Sequence, residues 1–323
     1  MPYTTKGEIS DEVSAFYDRT LLERLKPLLV HTKFGQIRDI PAKSGSNTIK
    51  FRKYTALSTN TTALTEGTTP VGTQLAVTDI TADVLQYGDF VTITDVVQYE
   101  SVDAVLTEAA QVLGEQAAES IEELTRDVLV TGTNAQYSDN RANRYYILAS
   151  SLVTANEIRE AVANLAGGNA KKITNIVNPD TGYATSPINA AYVGIVHPKT
   201  VYTLKGLTGF IPVEQYANKA DVMDGEVGAL DEVRFIQTTK AKYWPSATAS
   251  AIVDVYATLI LGKDAYGISR ISGQAMKNIV KPLGSGGTDD PLDQRTTSGW
   301  KATFVAKILD DTAMLRLEHS VAI

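Results

Sequence analysis

The sequence predicts an α+β protein in which one long helix separates two regions rich in β-strands. An apolar repeat at helical spacing spans residues 99–130, and apolar residues alternate with polar ones at 48–55, at 75–97 and again after residue 300. The chain has 323 residues, of which 43% are hydrophobic, and this is enough to bury the core of one large domain or two modest ones.

Overall charge and cysteine content exclude several classes of protein. The 30 Lys and Arg residues against 37 Asp and Glu give a net charge of −7, whereas dedicated nucleic-acid binders usually present a basic surface. The absence of Cys excludes disulfides, thiolate nucleophiles and Cys-ligated metal centres. The N-terminal residues lack the apolar core of a signal peptide, and no apolar run approaches the ~18 residues of a membrane span. We therefore expect no membrane partner and a protein that stays in the compartment where it is made.

The charged residues fall into two opposed blocks. Residues 19–53 carry nine cations against two acids, and residues 99–127 carry eight acids against one cation, so the balances are +7 and −7. Blocks of opposite charge can pair within a molecule or between copies of it, although two solvated faces that never meet are the commoner arrangement. The cations considered for an interface are Arg19, Arg24, Lys33, Arg38, Lys43, Lys50, Arg52 and Lys53. The acids are Glu100, Asp103, Glu108, Glu115, Glu119, Glu122, Glu123 and Asp127.

The N-terminal part of the chain predicts an arm followed by a projecting hairpin. Residues 10–26 have the apolar spacing of an amphipathic helix that Pro27 ends, and the stretch beyond it shows no clear period. Strands at 48–55 and 75–97 flank a Thr-rich loop at 56–74, which is longer than the ~12–15 residues usual in a compact domain. The loop is poor in large apolar residues, so we expect its tip to project from the body.

Residues 99–130 give the strongest secondary-structure signal. Apolar residues recur every three or four positions, with a mean separation of about 3.7, close to the ~3.6 residues per turn of an α-helix. They are Val102, Leu106, Ala109, Leu113, Ala117, Ile121, Leu124 and Val128. No Pro interrupts this stretch and Gly132 is a suitable terminator, so we predict a helix on the order of 45 Å long with an acidic back.

The second half of the chain is predicted to be mixed. Thr154 and Glu157 have the spacing of a capping box at a helix start, and His197-Pro198 is expected to begin a short helix. Strands are predicted at 191–196, 233–238 and 251–261. The alternating runs at 300–308 and 314–318 predict a C-terminal hairpin, whose turn contains two Asp residues.

Catalytic, cofactor-binding and metal-binding motifs are absent from the sequence. His31, His197 and His319 have no metal-ligand spacing and are interpreted as isolated surface or helix-capping residues. No nucleophile elbow, phosphate-binding loop or dinucleotide fingerprint occurs. Three Asp residues at 289–293 lack the spacing of a calcium-binding loop. We therefore predict no catalytic residue, no cofactor and no metal.

Two segments resemble a known family. Residues 224–236, with the sequence DGEVGALDEVRFI, resemble a Gly-rich turn and strand; residues 281–295, with the sequence KPLGSGGTDDPLDQR and Gly299-Trp300-Lys301 after them, resemble a C-terminal signature. Both are similar to the major capsid proteins of tailed double-stranded DNA phages, and the second to the branch typified by the N-four phage coat protein. A Gly is usual in that family near residues 231–232, where this chain has Asp-Glu.

The resemblance implies a Hong Kong 97-type capsid fold over nearly the whole chain. The implied parts are an N-terminal arm (1–47), an extended hairpin loop (48–97), the spine helix with the first part of a peripheral domain (98–189), an axial domain (190–262) and return strands of the peripheral domain (263–323). It also implies a structural subunit, not an enzyme, that is made in the host cytoplasm and self-assembles into the hexamers and pentamers of an icosahedral virion shell. The implied partners are copies of itself, portal, scaffolding and cement proteins, and packaged double-stranded DNA bound without sequence specificity.

The charge blocks and the resemblance lead to a hypothesis for how subunits meet. The cationic arm and hairpin of one subunit would lie against the acidic spine helix of another, with apolar burial supplying most of the affinity. An encapsulin-like compartment shell shares the implied fold and stays an alternative. A soluble α+β enzyme with an unrecognised site is a second alternative, which a pocket with a cluster of titratable residues would favour.

Overall fold

A computed structural model describes most of the chain. The described residues are 30–41, 45–69, 71–100, 105–177, 185–216, 222–245, 253–272, 276–286 and 290–322. The predicted helix at 10–26 lies outside them, as do Arg19, Arg24, Lys43, Asp103 and the side chain of Glu100.

Within the described residues the chain forms sixteen strands and four α-helices. The strands are β1 (Gln36–Ile37), β2 (Thr48–Tyr54), β3 (Val77–Asp83), β4 (Leu85–Thr94), β5 (Ala135–Tyr137), β6 (Ile173–Val177), β7 (Thr185–Val196), β8 (Ile211–Pro212), β9 (Glu226–Leu230), β10 (Val233–Gln237), β11 (Tyr243–Trp244), β12 (Val255–Leu261), β13 (Tyr266–Ser269), β14 (Met276–Lys281), β15 (Arg295–Ile308) and β16 (Met314–His319). The helices are α1 (Asp95–Glu100), α2 (Val105–Val130), α3 (Ala155–Gly167) and α4 (Pro198–Lys205).

The described strands form three sheets. Strands β2 and β3 form a two-stranded hairpin. A five-stranded sheet has the order β1-β13-β15-β14, and β4 pairs with the opposite edge of β15. A nine-stranded sheet has the order β5-β16-β12-β7-β10-β9-β8, with β11 also paired to β12 and β6 to β7. The mixed α+β fold predicted from the sequence is confirmed.

Helix α2 packs its apolar stripe on one face of the five-stranded sheet. Trp300 and Phe304 of β15 are buried in one core with Leu113 and Ala117 of the helix. The long helix predicted from apolar spacing is confirmed over Val105–Val130. Burial of this stripe, more than intrinsic helix propensity, holds such a helix in place.

The prediction of a C-terminal hairpin is wrong. Strand β15 pairs with β4, β13 and β14, whereas β16 pairs with β12 and β5 in the nine-stranded sheet. Alternation identifies both strands, but it does not identify their partners, and each strand forms a longer ladder with segments remote in sequence. The same pairing places residues 314–319 in the sheet built from the 190–262 region, which corrects their assignment to the return strands at 263–323.

The return strand predicted at 75–97 is divided among three elements. Strand β3 pairs with β2, β4 pairs with β15 along ten residue pairs, and α1 follows. The implied hairpin loop at 48–97 is therefore shorter in the structure, where it comprises β2, β3 and the loop between them. Strand β4 belongs to the body of the protein.

The segment 224–236 forms a tight β9–β10 turn without a Gly at residues 231–232. Asp231 adopts a left-handed φ of 50°, which Asp tolerates better than most residues other than Gly. Its carboxylate accepts a hydrogen bond from Arg159 Nε at 3.0 Å. In the same segment Arg234 and Glu226 form a buried ion pair with an Nη2–Oε2 distance of 2.6 Å.

The three histidines have different surroundings. His197 caps helix α4 as predicted, because its Nδ1 accepts a hydrogen bond from the backbone N–H of Lys199 at 3.2 Å. His31 and His319 are fully buried, which corrects their interpretation as surface residues. His319 Nδ1 lies 2.8 Å from the carbonyl oxygen of Ser320 and its Nε2 lies 3.0 Å from Thr258 Oγ1, an arrangement that suits a neutral ring.

The surroundings of His197 and His319 predict that lowering the pH begins to destabilise the fold at pH values above those at which carboxylates titrate. Burial lowers the pKa of His319, and burial together with nearby Lys199 lowers the pKa of His197. Only the unfolded chain then takes up these protons just below pH ~6.5, so stability is complete above that pH and falls below it, by up to about 1.4 kcal/mol per pH unit for each His. We expect a lower urea midpoint at about pH 5.5 than at about pH 7.5, and a smaller drop in His319→Gln. An unchanged midpoint would contradict neutral burial.

Candidate subunit interface

The β2–β3 hairpin is fixed to the body at its base and exposes apolar side chains beyond it. Phe51 is 8% exposed, and its ring lies so close to Gly267 that a Cβ there would be 2.7 Å from the ring. In the loop, Leu64 is 75% and Val71 97% exposed, and Leu57 is also exposed. Exposed apolar residues on a projecting element indicate a surface that another chain covers.

Three of the predicted interface cations have partner acids in the same chain. The pairs are Lys33–Asp224, Arg52–Asp79 and Lys53–Asp310. The side chains of Arg52 and Lys53 nevertheless stay 67% and 53% exposed, so each of these pairs contributes only ~0–1 kcal/mol. Arg38 and Lys50 are exposed and form no ion pair with any described residue. Both line a cleft of about 490 Å³ between the hairpin and the body.

The C-terminal half of α2 uses its acids within the chain. Lys240 Nζ donates to Glu119 at 2.9 Å and to Glu123 at 3.2 Å, and Lys242 Nζ donates to Asp127 at 3.0 Å. The hydrogen bond to Glu119 is the main cause that raises the pKa of Lys240. This end of the acidic helix therefore braces the segment that follows β10.

The N-terminal half of α2 keeps acidic and apolar side chains exposed. Glu108 and Glu115 are exposed, and Val112 between them is 60% exposed. The spacing of i, i+4 and i+7 places the three on one face of the helix. We call this face the acidic stripe. The acids nearer the C-terminal end, Glu119, Glu123 and Asp127, are also 45–52% exposed, but they pair with Lys240 and Lys242.

Glu122 lies in the interior, which corrects its assignment to an exposed interface. Its Oε1 is 2.6 Å from His31 Nδ1, and its Oε2 accepts hydrogen bonds from the backbone N–H groups of Val30 at 3.0 Å and His31 at 3.2 Å. The hydroxyl of Tyr266 donates to the carbonyl oxygen of His31. A buried carboxylate with three N–H donors is well satisfied, and it fixes the chain at residues 30–31 against α2.

A second buried carboxylate, Glu318, joins parts of the chain that the sequence gives no reason to connect. Arg144 donates to it from Nε and Nη2, both at 2.7 Å, and Arg316 donates from Nε at 2.7 Å. The Arg144 guanidinium also lies 3.2 Å from the ring centroid of Trp244. The sequence contained one indication of this network, the two-residue spacing of Arg316 and Glu318, which places both side chains on one side of a strand.

The described residues contain no group of three or more His, Asp or Glu side chains placed to hold a metal ion. In the same part of the chain no helix is both long and apolar enough to span a membrane.

Comparison with known proteins places the chain in a family. The family model described as phage capsid protein matches residues 76–317. No curated protein matches the chain in sequence. None of the comparisons favours the encapsulin-like or enzyme alternatives.

Solved structures of phage capsids share the fold over almost the whole chain. The capsid of Ralstonia phage GP4 is 10% identical, with 92% of this chain and 90% of that chain covered and a TM-score of 0.68. The capsid asymmetric unit of cyanophage Pam1 is 16% identical, with 93% and 92% covered and a TM-score of 0.63. The capsid of cyanophage P-SCSP1u is 14% identical, with 91% and 89% covered and a TM-score of 0.62. The Hong Kong 97-type fold is thereby confirmed, and the family match over most of the chain shows that it belongs to the phage capsid proteins, as a structural subunit that assembles with copies of itself into the shell of a virion.

Proposed function

We propose that the chain forms hexamers and pentamers that close an icosahedral shell around double-stranded DNA, which it encloses without reading its sequence. The observation that carries this proposal is the β2–β3 hairpin, in whose Thr-rich loop Leu57, Leu64 and Val71 have no cover within the described chain. Portal, scaffolding and cement proteins are the further partners proposed, and the host cytoplasm is the proposed place of synthesis. The sequence of residues 281–301 supports a place in the branch typified by the N-four phage coat protein.

Apolar residues of the hairpin should supply most of the affinity between subunits. Fully burying one Leu or Val side chain stabilises a complex by about 1.5–3 kcal/mol, whereas an exposed ion pair contributes ~0–1 kcal/mol. Burial of Leu57, Leu64 and Val71 against a neighbour therefore outweighs several ion pairs. The charges act chiefly on orientation and register.

The charge pairing proposed between subunits involves fewer residues than the sequence suggested. On one subunit it uses the exposed cations around the cleft, Arg38 and Lys50, with Arg52 and Lys53 beside them. On the other subunit it uses the acidic stripe of α2. Weak pairs of this kind allow wrongly placed subunits to dissociate, which a closed shell needs in order to correct errors.

Reversing the four cations should block assembly without unfolding the subunit. In Arg38→Glu/Lys50→Glu/Arg52→Glu/Lys53→Glu, like charges would face each other across the proposed contact. We expect an unchanged circular dichroism spectrum and no closed shells in negative-stain electron micrographs, under conditions in which the unmodified chain forms them.

A matched variant separates the contact from net charge. Lys171→Glu/Lys172→Glu/Lys205→Glu/Lys263→Glu reverses four surface lysines away from the hairpin, of which Lys172 is paired with Glu232, and we expect it to form shells. Normal shells from the first variant, or loss of shells in both, would contradict the charge pairing. Failure of the unmodified chain to form closed shells or rings with any added scaffold would contradict the proposed function itself.

A further inference from the structure

The face of the five-stranded sheet turned away from α2 has an unusual composition. Side chains alternate along a strand, so the burial of Trp300 against the helix places Lys301 on the opposite face. The residue pairing then puts Lys277 and Lys281 of β14 on that same face, with Phe90 of β4. We call this surface the outer sheet face.

Three lysines on the outer sheet face lack partners. Lys277 lies directly opposite Lys301 in the β14–β15 ladder. Lys281 lies four residues further along β14, on the same face of the sheet. All three are exposed, and none forms an ion pair or side-chain hydrogen bond with any described residue. Like charges directly opposite in adjacent strands destabilise a sheet, so the isolated subunit has an unfavourable arrangement that an anionic partner would relieve.

Apolar side chains lie between these lysines. Phe90 is 66% exposed and Ile279 is 43% exposed, and both pair with Gly299, in the row between Lys301 and Lys281. A Cβ on Gly299 would lie 2.7 Å from Phe90 Cβ, so the glycine leaves room for the aromatic side chain to lie over the sheet.

The result is a groove of about 770 Å³ that has Phe90 and Ile279 at its centre and Lys301 and Lys281 towards its ends. Lys277 lies beside it, opposite Lys301. Two carboxylates also line the groove, but Asp290 is paired with Arg295 and Asp89 accepts a hydrogen bond from Gln116. The complement of the groove is a polypeptide with acids on both sides of apolar residues.

We propose that the groove binds residues 8–16 of a second copy of the chain. This segment lies outside the described residues, and its sequence is EISDEVSAF. It holds three acids and no cation, and its apolar residues are interleaved with them. That is the composition that the groove requires.

Two other occupants fit the groove less well. The loop of the β2–β3 hairpin, residues 55–76, has a single charged residue, Glu66, to offer three lysines. Duplex DNA would satisfy the lysines through its phosphates, but its backbone surface has no apolar group to cover Phe90 and Ile279.

The position of residues 30–31 favours docking of the segment in the groove of a second copy over docking in the groove of its own chain. Glu122 holds Val30 and His31 against α2, on the side of the sheet opposite to the groove. The 14 residues from Phe16 to Val30 span at most ~46 Å when fully extended, and less where the predicted helix at 10–26 shortens them. The neighbour that receives the segment is taken to be an adjacent subunit of the shell. The inference therefore rests on the proposed assembly.

Zero-length cross-linking tests the contact directly. A carbodiimide joins a carboxylate to a lysine amine only when the two are in contact. Shells are assembled from a mixture of ¹⁵N-labelled and unlabelled chains, cross-linked and analysed by mass spectrometry. We expect peptides that join Glu8, Asp11 or Glu12 to Lys277, Lys281 or Lys301, including pairs in which one peptide is labelled and the other is not.

Charge exchange supplies the matched variants. Reversal of the three lysines to Glu, or of the three acids to Lys, leaves no amine opposite a carboxylate and should abolish these cross-links. Combining both sets exchanges the reacting groups across the contact and should restore most of the yield. Lys171→Glu/Lys205→Glu/Lys263→Glu, the control with the same change in charge away from the outer sheet face, should leave the yield unchanged.

Several results would overturn the inference. The first is that the three lysines are cross-linked to Glu66 instead of to the N-terminal acids. The second is that the two peptides of every cross-linked pair are both labelled or both unlabelled, which would mean that they come from one chain. The others are that no cross-link forms, or that the cross-links do not return in the combined variant. If closed shells form and the cross-links are absent, only this inference fails. If no shells form, the proposed function fails. The same cross-linking is then done on the smaller oligomers, and absence of cross-linked pairs with one labelled and one unlabelled peptide would overturn the docking as well.

Discussion

Replacement of Glu318 by Ala should lower the free energy of unfolding of the unassembled subunit by about 3–5 kcal/mol. Glu318 is fully buried and neutralises Arg316 and Arg144, whose side chains are 10% and 30% exposed. Without the carboxylate, two guanidinium groups would remain close together in a largely dry environment. Arg316 also donates to the carbonyl oxygen of Gly132 at 2.8 Å, so the change should loosen the end of α2 as well. Urea denaturation followed by circular dichroism measures the loss.

Two further variants show whether loss of charge or loss of packing causes the fall in stability of Glu318→Ala. Glu318→Gln keeps an acceptor oxygen and nearly the same shape, and should lose only about 1.5–3 kcal/mol, the range for hydrogen bonds to charged groups. Glu214→Ala removes an exposed acid and should change stability by less than about 0.5 kcal/mol. Equal stability of Glu318→Ala and the unmodified chain would show that the network contributes nothing to stability.

Replacement of Glu122 by Ala should release the N-terminal arm from α2. The His31 ring and the backbone N–H groups of Val30 and His31 would lose their acceptor, at a cost of about 1–3 kcal/mol for an unsatisfied buried group. Cleavage of a folded chain follows the population of its open form, so trypsin should cut after Lys33 about tenfold faster for each 1.4 kcal/mol lost. Mass spectrometry of timed digests measures this rate.

The controls for Glu122 come from the same helix. Glu122→Gln retains one acceptor and should be cut at a rate between those of the unmodified chain and the Ala variant. Glu108→Ala removes an exposed acid of α2 and should leave the rate unchanged. Cleavage of Glu122→Ala at the unmodified rate would mean that other contacts hold residues 30–31.

Features encoded within a few neighbouring residues were predictable from the sequence. The apolar spacing of α2, the capping box at Thr154 and Glu157, and the His197 cap all act over one or two helical turns, and all are confirmed. In strand β2, which alternation predicted at 48–55, Phe51 is buried and Lys50 is exposed. Local sequence determines these features because the interacting groups lie close together in the chain.

A charge count does not distinguish exposed from buried acids, so the sequence placed Glu122 in the predicted interface although it is buried. Glu122 has the same sequence context as Glu119 and Glu123, but it lies on the side of α2 that meets residues 30–31. Lys240 was not considered, since it lies far along the chain from the acids that it pairs with. The pairing of the strands on either side of the Thr-rich loop was predicted correctly for β2 and β3.

By itself, the sequence determined three of the four described α-helices, half of the described strands, the absence of recognisable catalytic motifs and the family resemblance. Only the tertiary structure decided which strands pair, because alternation specifies which face of a strand is buried but not against which partner. It separated β15 from β16, and it placed Lys277 opposite Lys301 from separate strands. Ladders and buried ion pairs join residues far apart in the chain, and their energies depend on distances that exist only once the core has formed.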